Sequence, residues 1–325
     1  MSIDVLCLRP EADFLRVGAL PPDSVRVAYR GPGDEDVAEL MKQAKALVIP
    51  AVGPKLPAAM FERTSVKFIQ VTGAGLDRLD LVLLKQKGIA VANVPGGSNE
   101  AVAEYAVTTA SVLLRQFLWA DAEIRQGNYA AFRGRMIANS LPGLDGLTVG
   151  VVGFGIIGVA VATAFHKRGC RILYHDPAPR DPCAAEALGA KACALEELLS
   201  ASDVVTLHVP LLPQTTGLIG AREFAAMKPG AVLIHASRGG VVDEAALVGA
   251  LQGERLGGVA VDVYSTEPPT ADNPLLALKG EAAKRILFTP HIAGVTRQST
   301  AFLCRAAWRN VERVLSGSPA RDVVT

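Results

Sequence analysis

The sequence predicts an α/β protein built on two doubly wound parallel sheets, and three observations predict it. Two separate series of short β-rich runs alternate with amphipathic segments. A turn with G-x-G-x-x-G spacing follows directly on one of these runs. The 325 residues have the length of roughly two domains and can bury a substantial core.

The first series is IDVLCL (3–8), SVRVAY (24–29), ALVIPA (46–51), VKFIQVT (66–72) and IAVANV (89–94). Polar or helix-compatible stretches separate these runs, as parallel strands with crossover helices require. Pro95 to Asn99 then read as a hinge, and a proline-free helix capped by Ser98 or Asn99 is expected from Glu100 to about Ile124. The second series runs LTVGVVGF (147–154), CRILYHD (170–176), SDVVTLHVP (202–210), GAVLIHAS (230–237), GGVAVDVY (257–264) and RILFTPH (285–291). A last helix is expected over about Arg297 to Leu315, packed on a domain already formed. No solenoid repeat, low-complexity tract or heptad run is present.

Composition narrows the partners. Half the residues are hydrophobic, a fifth are charged, and the formal net charge is +1, which offers no broad attraction to nucleic acid or anionic lipid and favours a small-molecule partner. The five cysteines, Cys7, Cys170, Cys183, Cys193 and Cys304, are odd in number and show no C-x-x-C spacing. Neither a disulfide framework nor a zinc knuckle is expected, and no metal site. The N-terminal apolar run is broken by Asp4 and Arg9, unlike the core of a signal peptide, so a cytoplasmic protein is expected.

One stretch tests the membrane alternative. From Gly146 to His166 nothing is charged, a length sufficient on its own to cross a bilayer, which takes about 20 apolar residues. Five glycines interrupt it, and Gly153, Gly155 and Gly158 supply the G-x-G-x-x-G spacing after a β-branched run. A dinucleotide-binding turn also requires an acidic residue about 20 positions on, at the end of the next strand. Asp176, 23 positions after Gly153, ends CRILYHD. In that geometry Gly153 permits the tight turn, Gly155 admits a pyrophosphate to the backbone, and Gly158 lets helix and strand pack closely. The Asp176 carboxylate would accept from ribose hydroxyls and repel a 2′-phosphate, favouring NAD over NADP.

Ligands of such sheets bind at the carboxyl ends of the strands. There GAVLIHAS runs into Arg238, GGVAVDVY is soon followed by Glu267, and RILFTP delivers His291. Arg238 can clamp a carboxylate, His291 can move a proton near neutrality, and Glu267 can orient the ring. His175, His208 and His235 also lie at or near strand ends, so spacing alone does not select among the four.

VTGAGLDRLD, SNEAVAEYA, LDGLTVGVVGFGIIG, LHVPLLPQTTGLI, ASRGGVVDEAAL, AVDVYSTEPP and LFTPHIAG, in this order over nearly the whole chain, resemble the signatures of the D-isomer-specific 2-hydroxyacid dehydrogenase family. The resemblance implies two Rossmann-like domains: a substrate domain of residues 1–97 plus 292–325, an NAD-binding domain of residues 98–291, and an active site in the cleft between them. It implies reduction of a 2-oxo acid by NADH to an (R)-2-hydroxy acid, with His291 as acid/base, Glu267 as its partner and Arg238 as clamp. N–H groups near Ala74 and Gly75 would hold the substrate carboxylate, and Asp262 would lie near the nicotinamide amide. The cofactor site would be lined by Gly153, Gly155, Ile156, Ile157, Gly158, Val209, Pro210, Thr215, Ala236 and Gly294. The long helix after Glu100 and the arm through Leu141 imply a homodimer.

Departures from the family pattern carry their own expectations. Ile156 stands where many members have Arg or Asn, which removes a phosphate contact. PAVGPKL (50–56) has no arginine where phosphoglycerate-using members place one, which disfavours a phosphorylated substrate while leaving Lys55. Glu267 is not the Gln of formate-oxidising relatives. No regulatory domain is expected after the last helix. Two rival functions share the glycine turn: a dinucleotide-sensing binding protein without turnover, and a methyltransferase, which would have no use for Arg238.

Overall fold

In the computed structural model, which describes residues 3–325, all eleven β-rich runs contain a strand. These are β1 (Val5–Cys7), β2 (Val27–Tyr29), β3 (Ala46–Ile49), β4 (Phe68–Val71), β5 (Ala90–Ala92), β6 (Thr148–Val152), β7 (Arg171–His175), β9 (Val204–Leu207), β10 (Ala231–His235), β11 (Leu256–Val261) and β12 (Ile286–Phe288). The two-residue β8 (Lys191–Ala192) completes the set. It is too short and too polar to leave a pattern in the sequence.

The chain separates into two units, one running to Ser98 and resuming over Val295–Thr325, the other spanning Asn99–Gly294. The first holds a five-stranded sheet in the order β2-β1-β3-β4-β5, and the second a seven-stranded sheet in the order β12-β11-β10-β9-β6-β7-β8. Every pairing is parallel. Parallel sheets are covered on both faces, so their strands are apolar throughout rather than alternating. β3, β4, β6, β9 and β10 are buried at every position. Each sheet accordingly carries an apolar cluster on either face. Strand order reverses between β1 and β3 in one sheet and between β6 and β9 in the other, and such reversals are where doubly wound sheets open a crevice for ligands.

The long helix expected from Glu100 to Ile124 is broken. Asn99–Leu114 is one helix, Phe117–Arg125 a second and Tyr129–Ala138 a third. The break falls at Gln116, whose φ of 51° is left-handed. Neither glycine nor proline marks the spot, so composition gave no sign of it. The first of these helices buries Ala101, Ala103, Ala106 and Ala110 and packs against the helix Ile156–His166, with small side chains on the buried face.

The last helix, Arg297–Leu315, has the expected bounds. Thr296 and Ser299 cap it reciprocally, each side chain accepting from the other's backbone N–H at 3.1 and 2.9 Å. Its apolar face seats Cys304, Trp308 and Val311 among Val5, Val48 and Phe68 of the five-stranded sheet. Asn310 adds a buried polar pin, donating to Gln70 Oε1 at 2.7 Å. Among the described residues no helix is long and apolar enough to cross a membrane. The uncharged stretch 146–166 divides instead into β6, the glycine turn and the helix Ile156–His166.

Candidate active site

The glycine turn closes on itself by close approach. Gly153 sits at φ 92° and donates its N–H to His175 O at 2.8 Å. A Cβ there would lie 2.4 Å from the carbonyl oxygen of His208, and one on Gly158 only 2.0 Å from that of Gly153. Both positions therefore exclude any side chain. Gly155, the N-cap of the helix Ile156–His166, differs: a Cβ would meet nothing within 4 Å, and no side chain caps the helix. Open space thus faces a helix N-terminus whose N–H groups favour an anion, which fits the diphosphate of a dinucleotide. Ile156 is exposed beside it, while Ile157 packs inward.

Asp176 follows β7 and reaches back to the turn. Oδ2 accepts from Phe154 N at 2.8 Å and Oδ1 from Ala178 N at 3.0 Å, and Arg180 Nε lies 2.7 Å from Oδ2. Burial pushes its carboxyl up, but the Arg180 guanidinium and the two backbone donors outweigh this and hold it below the usual carboxylate value. Across the strand reversal, Thr215 Oγ1 braces the loop after β9, donating to Pro210 O at 2.6 Å and accepting from Leu212 N at 2.8 Å. Val209 and Pro210 lie at the start of that loop.

Three neighbouring strands deliver the chemistry-bearing residues. Arg238 follows β10, Glu267 follows β11 and His291 follows β12, and these strands are adjacent in the sheet. A Cβ on Gly239 would lie 1.8 Å from Tyr264 O, so the loops after β10 and β11 touch backbone to backbone. Arg238 donates through Nη1 to Ser237 O at 2.7 Å, beside the half-buried Ala236. His291 Nδ1 lies 2.8 Å from Glu267 Oε2, and the other carboxylate oxygen accepts from Tyr264 N at 3.1 Å.

His291 adopts a left-handed φ of 55°, uncommon for a residue with a Cβ. Asp262 holds this turn. Its fully buried carboxylate accepts from Thr289 Oγ1 (2.6 Å), Ile292 N (2.8 Å) and Ala293 N (2.8 Å), and its carbonyl accepts from His291 N at 2.8 Å. Tyr105 OH lies 2.8 Å from Thr289 Oγ1, and because that hydroxyl's proton goes to Asp262, the tyrosine donates. Asp262, expected beside a nicotinamide amide, thus spends its carboxylate on the turn that carries His291 and Gly294.

The other strand-end histidines bond to uncharged partners. His175 Nδ1 pairs with Cys193 O (3.1 Å), His208 Nε2 with Thr206 Oγ1 (2.8 Å) and His235 Nδ1 with Ser237 Oγ (3.5 Å). Burial pushes His208 down to about 4 and His235 down to about 3, which keeps both neutral. Among the described residues only His291 is paired with a carboxylate. Sequence reasoning missed Tyr105, Tyr264, Thr289 and Arg180. The first three act through a backbone group or a buried hydroxyl, which no spacing rule reports, while Arg180 was visible as a cation four residues past the acid.

In the five-stranded unit, Ala74 and Gly75 follow β4. Asn93 Nδ2 fixes Ala74 O at 2.8 Å, and among the described residues the N–H groups of Ala74 and Gly75 donate no hydrogen bond. Buried Arg78 ties this segment to the loop after β3, donating to Pro50 O at 3.1 Å and Pro54 O at 2.9 Å. Among the described residues no group of His, Cys, Asp and Glu could hold a metal ion.

Comparison with known proteins agrees with this architecture. Residues 107–293 match the family described as D-isomer specific 2-hydroxyacid dehydrogenase, NAD binding domain. A D-3-phosphoglycerate dehydrogenase of Archaeoglobus fulgidus is 35% identical over 260 residues, 80% of this chain and 47% of that protein. A hydroxypyruvate reductase of Blautia hydrogenotrophica is 31% identical over 325 residues, 99% of this chain and 98% of that protein. The chain spans about half the length of the D-3-phosphoglycerate dehydrogenases it matches. The crystal structure of the TT0316 protein from Thermus thermophilus superposes with a TM-score of 0.83 at 31% identity, covering 99% of this chain and 100% of that one. On this match, together with the fold and the fingerprint, the chain belongs to the D-isomer specific 2-hydroxyacid dehydrogenase family.

Proposed function

We propose that this chain is an NAD-dependent dehydrogenase that interconverts a small 2-oxo acid and the (R)-2-hydroxy acid. The observation that carries the reading is the His291–Glu267 pair at 2.8 Å, placed at strand ends beside Arg238 in the sheet that also bears the glycine turn. Residues 98–291 form the NAD-binding domain of this reading, and residues 1–97 with 292–325 the substrate-binding domain. The bound nicotinamide supplies hydride in reduction and accepts it in oxidation.

The protein's part is proton handling, charge and position. Glu267 occupies Nδ1 of His291, leaving Nε2 to give a proton to the substrate oxygen in reduction and to take it back in oxidation. The Glu267 carboxylate accepts at Nδ1 and fixes the orientation of the ring. Arg238 grips the substrate carboxylate and draws off negative charge as it develops on the oxygen. Ala74 and Gly75 offer backbone N–H groups to the same carboxylate. Asp262 positions His291 through the 289–293 turn. Gly153, Gly155, Ile156, Ile157, Gly158, Asp176, Val209, Pro210, Thr215, Ala236 and Gly294 line the cofactor's place.

The loop 50–56 has Lys55 as its one cation and no arginine, which favours an uncharged substrate tail. Hydroxypyruvate should therefore be reduced in preference to its 3-phosphate. All five cysteines are free, in keeping with a cytoplasmic location. The same reading takes the chain as a homodimer: Phe117, Ile124, Tyr129 and Ile137 of the arm are 46–62% exposed and border a groove of about 600 Å³, an apolar surface of the kind that a partner covers. A monomeric mass in solution would remove that part.

The activity test is NADH oxidation with a panel of 2-oxo acids. Turnover to an (R)-2-hydroxy acid supports the assignment. NADH binding with no turnover of any member overturns it in favour of a dinucleotide-sensing binding protein.

A further inference from the structure

Asp176 is the residue on which exclusion of a 2′-phosphate rests, and it does not stand alone. Its side chain is only 3% exposed because three donors surround it: the N–H groups of Phe154 and Ala178, and the Arg180 guanidinium, with Nε 2.7 Å from Oδ2. The two backbone donors orient the carboxylate, but only Arg180 changes the local charge. An isolated carboxylate repels a phosphate, whereas a carboxylate paired at contact distance with a guanidinium presents almost no net charge. Arg180 is also 38% exposed, so part of its side chain already reaches solvent. The neighbouring acid, Asp181, is engaged elsewhere, accepting from Cys183 N at 2.9 Å as the N-cap of the helix Pro182–Ala187.

A guanidinium beside the adenosine ribose is the group that accommodates a 2′-phosphate, since its planar fork matches phosphate oxygens. Building on the NAD-binding reading above, we infer that Arg180 is a cofactor-specificity residue: paired with Asp176 it cancels the acid's repulsion, and turned outward it holds the 2′-phosphate of NADP(H). The chain thus prefers NADH without shutting NADPH out. NADH gains nothing from the arginine, because it has no phosphate at that position, and it must share Asp176 with it. NADPH gains from the arginine in either position, through neutralisation of Asp176 in the one and a new ion pair in the other.

The test is equilibrium binding of NADH and NADPH by nucleotide fluorescence, independent of turnover. Wild type should bind both, with NADPH weaker by less than about a hundredfold, and Arg180→Ala should weaken NADPH by a further tenfold or so, the loss of one charge-assisted contact. NADH affinity should hold within about threefold or improve, and Arg180→Lys should recover part of the NADPH affinity as a point charge without the fork. NADPH binding by wild type should fall with added salt more steeply than in Arg180→Ala. An NADPH to NADH ratio unchanged in Arg180→Ala overturns the inference, as does NADH binding by wild type with no detectable NADPH binding. Failure of wild type to bind NADH overturns the dinucleotide reading itself, and the two failures are told apart by that one measurement.

Discussion

Nδ1 of His291 lies 2.8 Å from Oε2 of Glu267, and the other oxygen of that carboxylate is tied to the Tyr264 backbone at 3.1 Å. The pair is therefore held from both sides: Glu267 by the loop after β11, His291 by the turn that Asp262 gathers after β12. Because one carboxylate oxygen is spent on the backbone, the other has a fixed direction, and so does the ring it faces.

That arrangement predicts a loss of turnover without a loss of cofactor binding. Glu267→Gln removes the charged acceptor at Nδ1 of His291 while keeping the shape, so the ring is held less firmly. kcat/KM for the 2-oxo acid should fall by a factor of about 10 to 100, the scale of one hydrogen bond to a charged group, with NADH affinity nearly unchanged. Steady-state kinetics alongside nucleotide titration decide it. Turnover close to wild type would show that Glu267 does not position His291.

For Arg238, Lys keeps the charge and loses the two-pronged geometry. Arg238→Lys should lower kcat/KM for the 2-oxo acid by a factor of about 100 or more, the scale of one buried bidentate contact to a charged group, while NADH affinity changes little. Steady-state kinetics alongside nucleotide titration checks both halves. Turnover close to wild type would reduce the arginine to a structural role.

Asp262→Ala separates two roles for the same residue. If the carboxylate serves the His291 turn, its removal leaves the N–H groups of Ile292 and Ala293 and the Thr289 hydroxyl without their acceptor, each costing about 1–3 kcal/mol where burial persists. Urea unfolding should show the loss, and kcat should fall as the left-handed His291 loses its support, with NADH affinity nearly unchanged. A large drop in NADH affinity with kcat intact would assign the carboxylate to the nicotinamide instead.

How far the sequence could be read follows from what each feature depends on. Strands buried on both faces leave unbroken apolar runs, so β1 to β7 and β9 to β12 were legible while β8, with two exposed residues, was not. The C-terminal helix was legible as a proline-free stretch with apolar residues to bury, while the Thr296–Ser299 cap that closes its first turn is a finding of the structure. Gln116 shows the opposite case: its left-handed φ of 51° breaks a stretch that no glycine or proline interrupts. At the site, the glycine turn and Asp176 have a spacing rule, and Arg238, Glu267 and His291 have a strand-end rule that admitted three other histidines. Burial and pairing, visible only in three dimensions, set His291 apart from those three. Tyr264 helps through its backbone N–H, a group that every residue but proline carries, so no sequence could have pointed to it.

Two of the strand-end histidines, His235 and His208, resist protonation in the folded protein. His235 closes β10 with 3% of its surface exposed, and burial lowers it from 6.5 to about 3. An unfolded chain therefore binds a proton here below about pH 6.5 that the folded chain refuses, so folding stability is full above that pH and is lost as pH falls toward 3. His208, pushed down to about 4, adds a loss of the same sign. Asp4, held down at about 2 by Arg26, contributes only below the ordinary carboxylate range, so between about pH 6.5 and 5 the histidines act almost alone. Each can then contribute a slope of up to about 1.4 kcal/mol per pH unit. Urea unfolding should give a stability that drops between about pH 6.5 and 5, and His235→Asn, with no titrating ring, should roughly halve the drop even if it lowers stability at neutral pH through looser packing. An equal drop in wild type and variant would mean that the imidazole of His235 takes up its proton without unfolding.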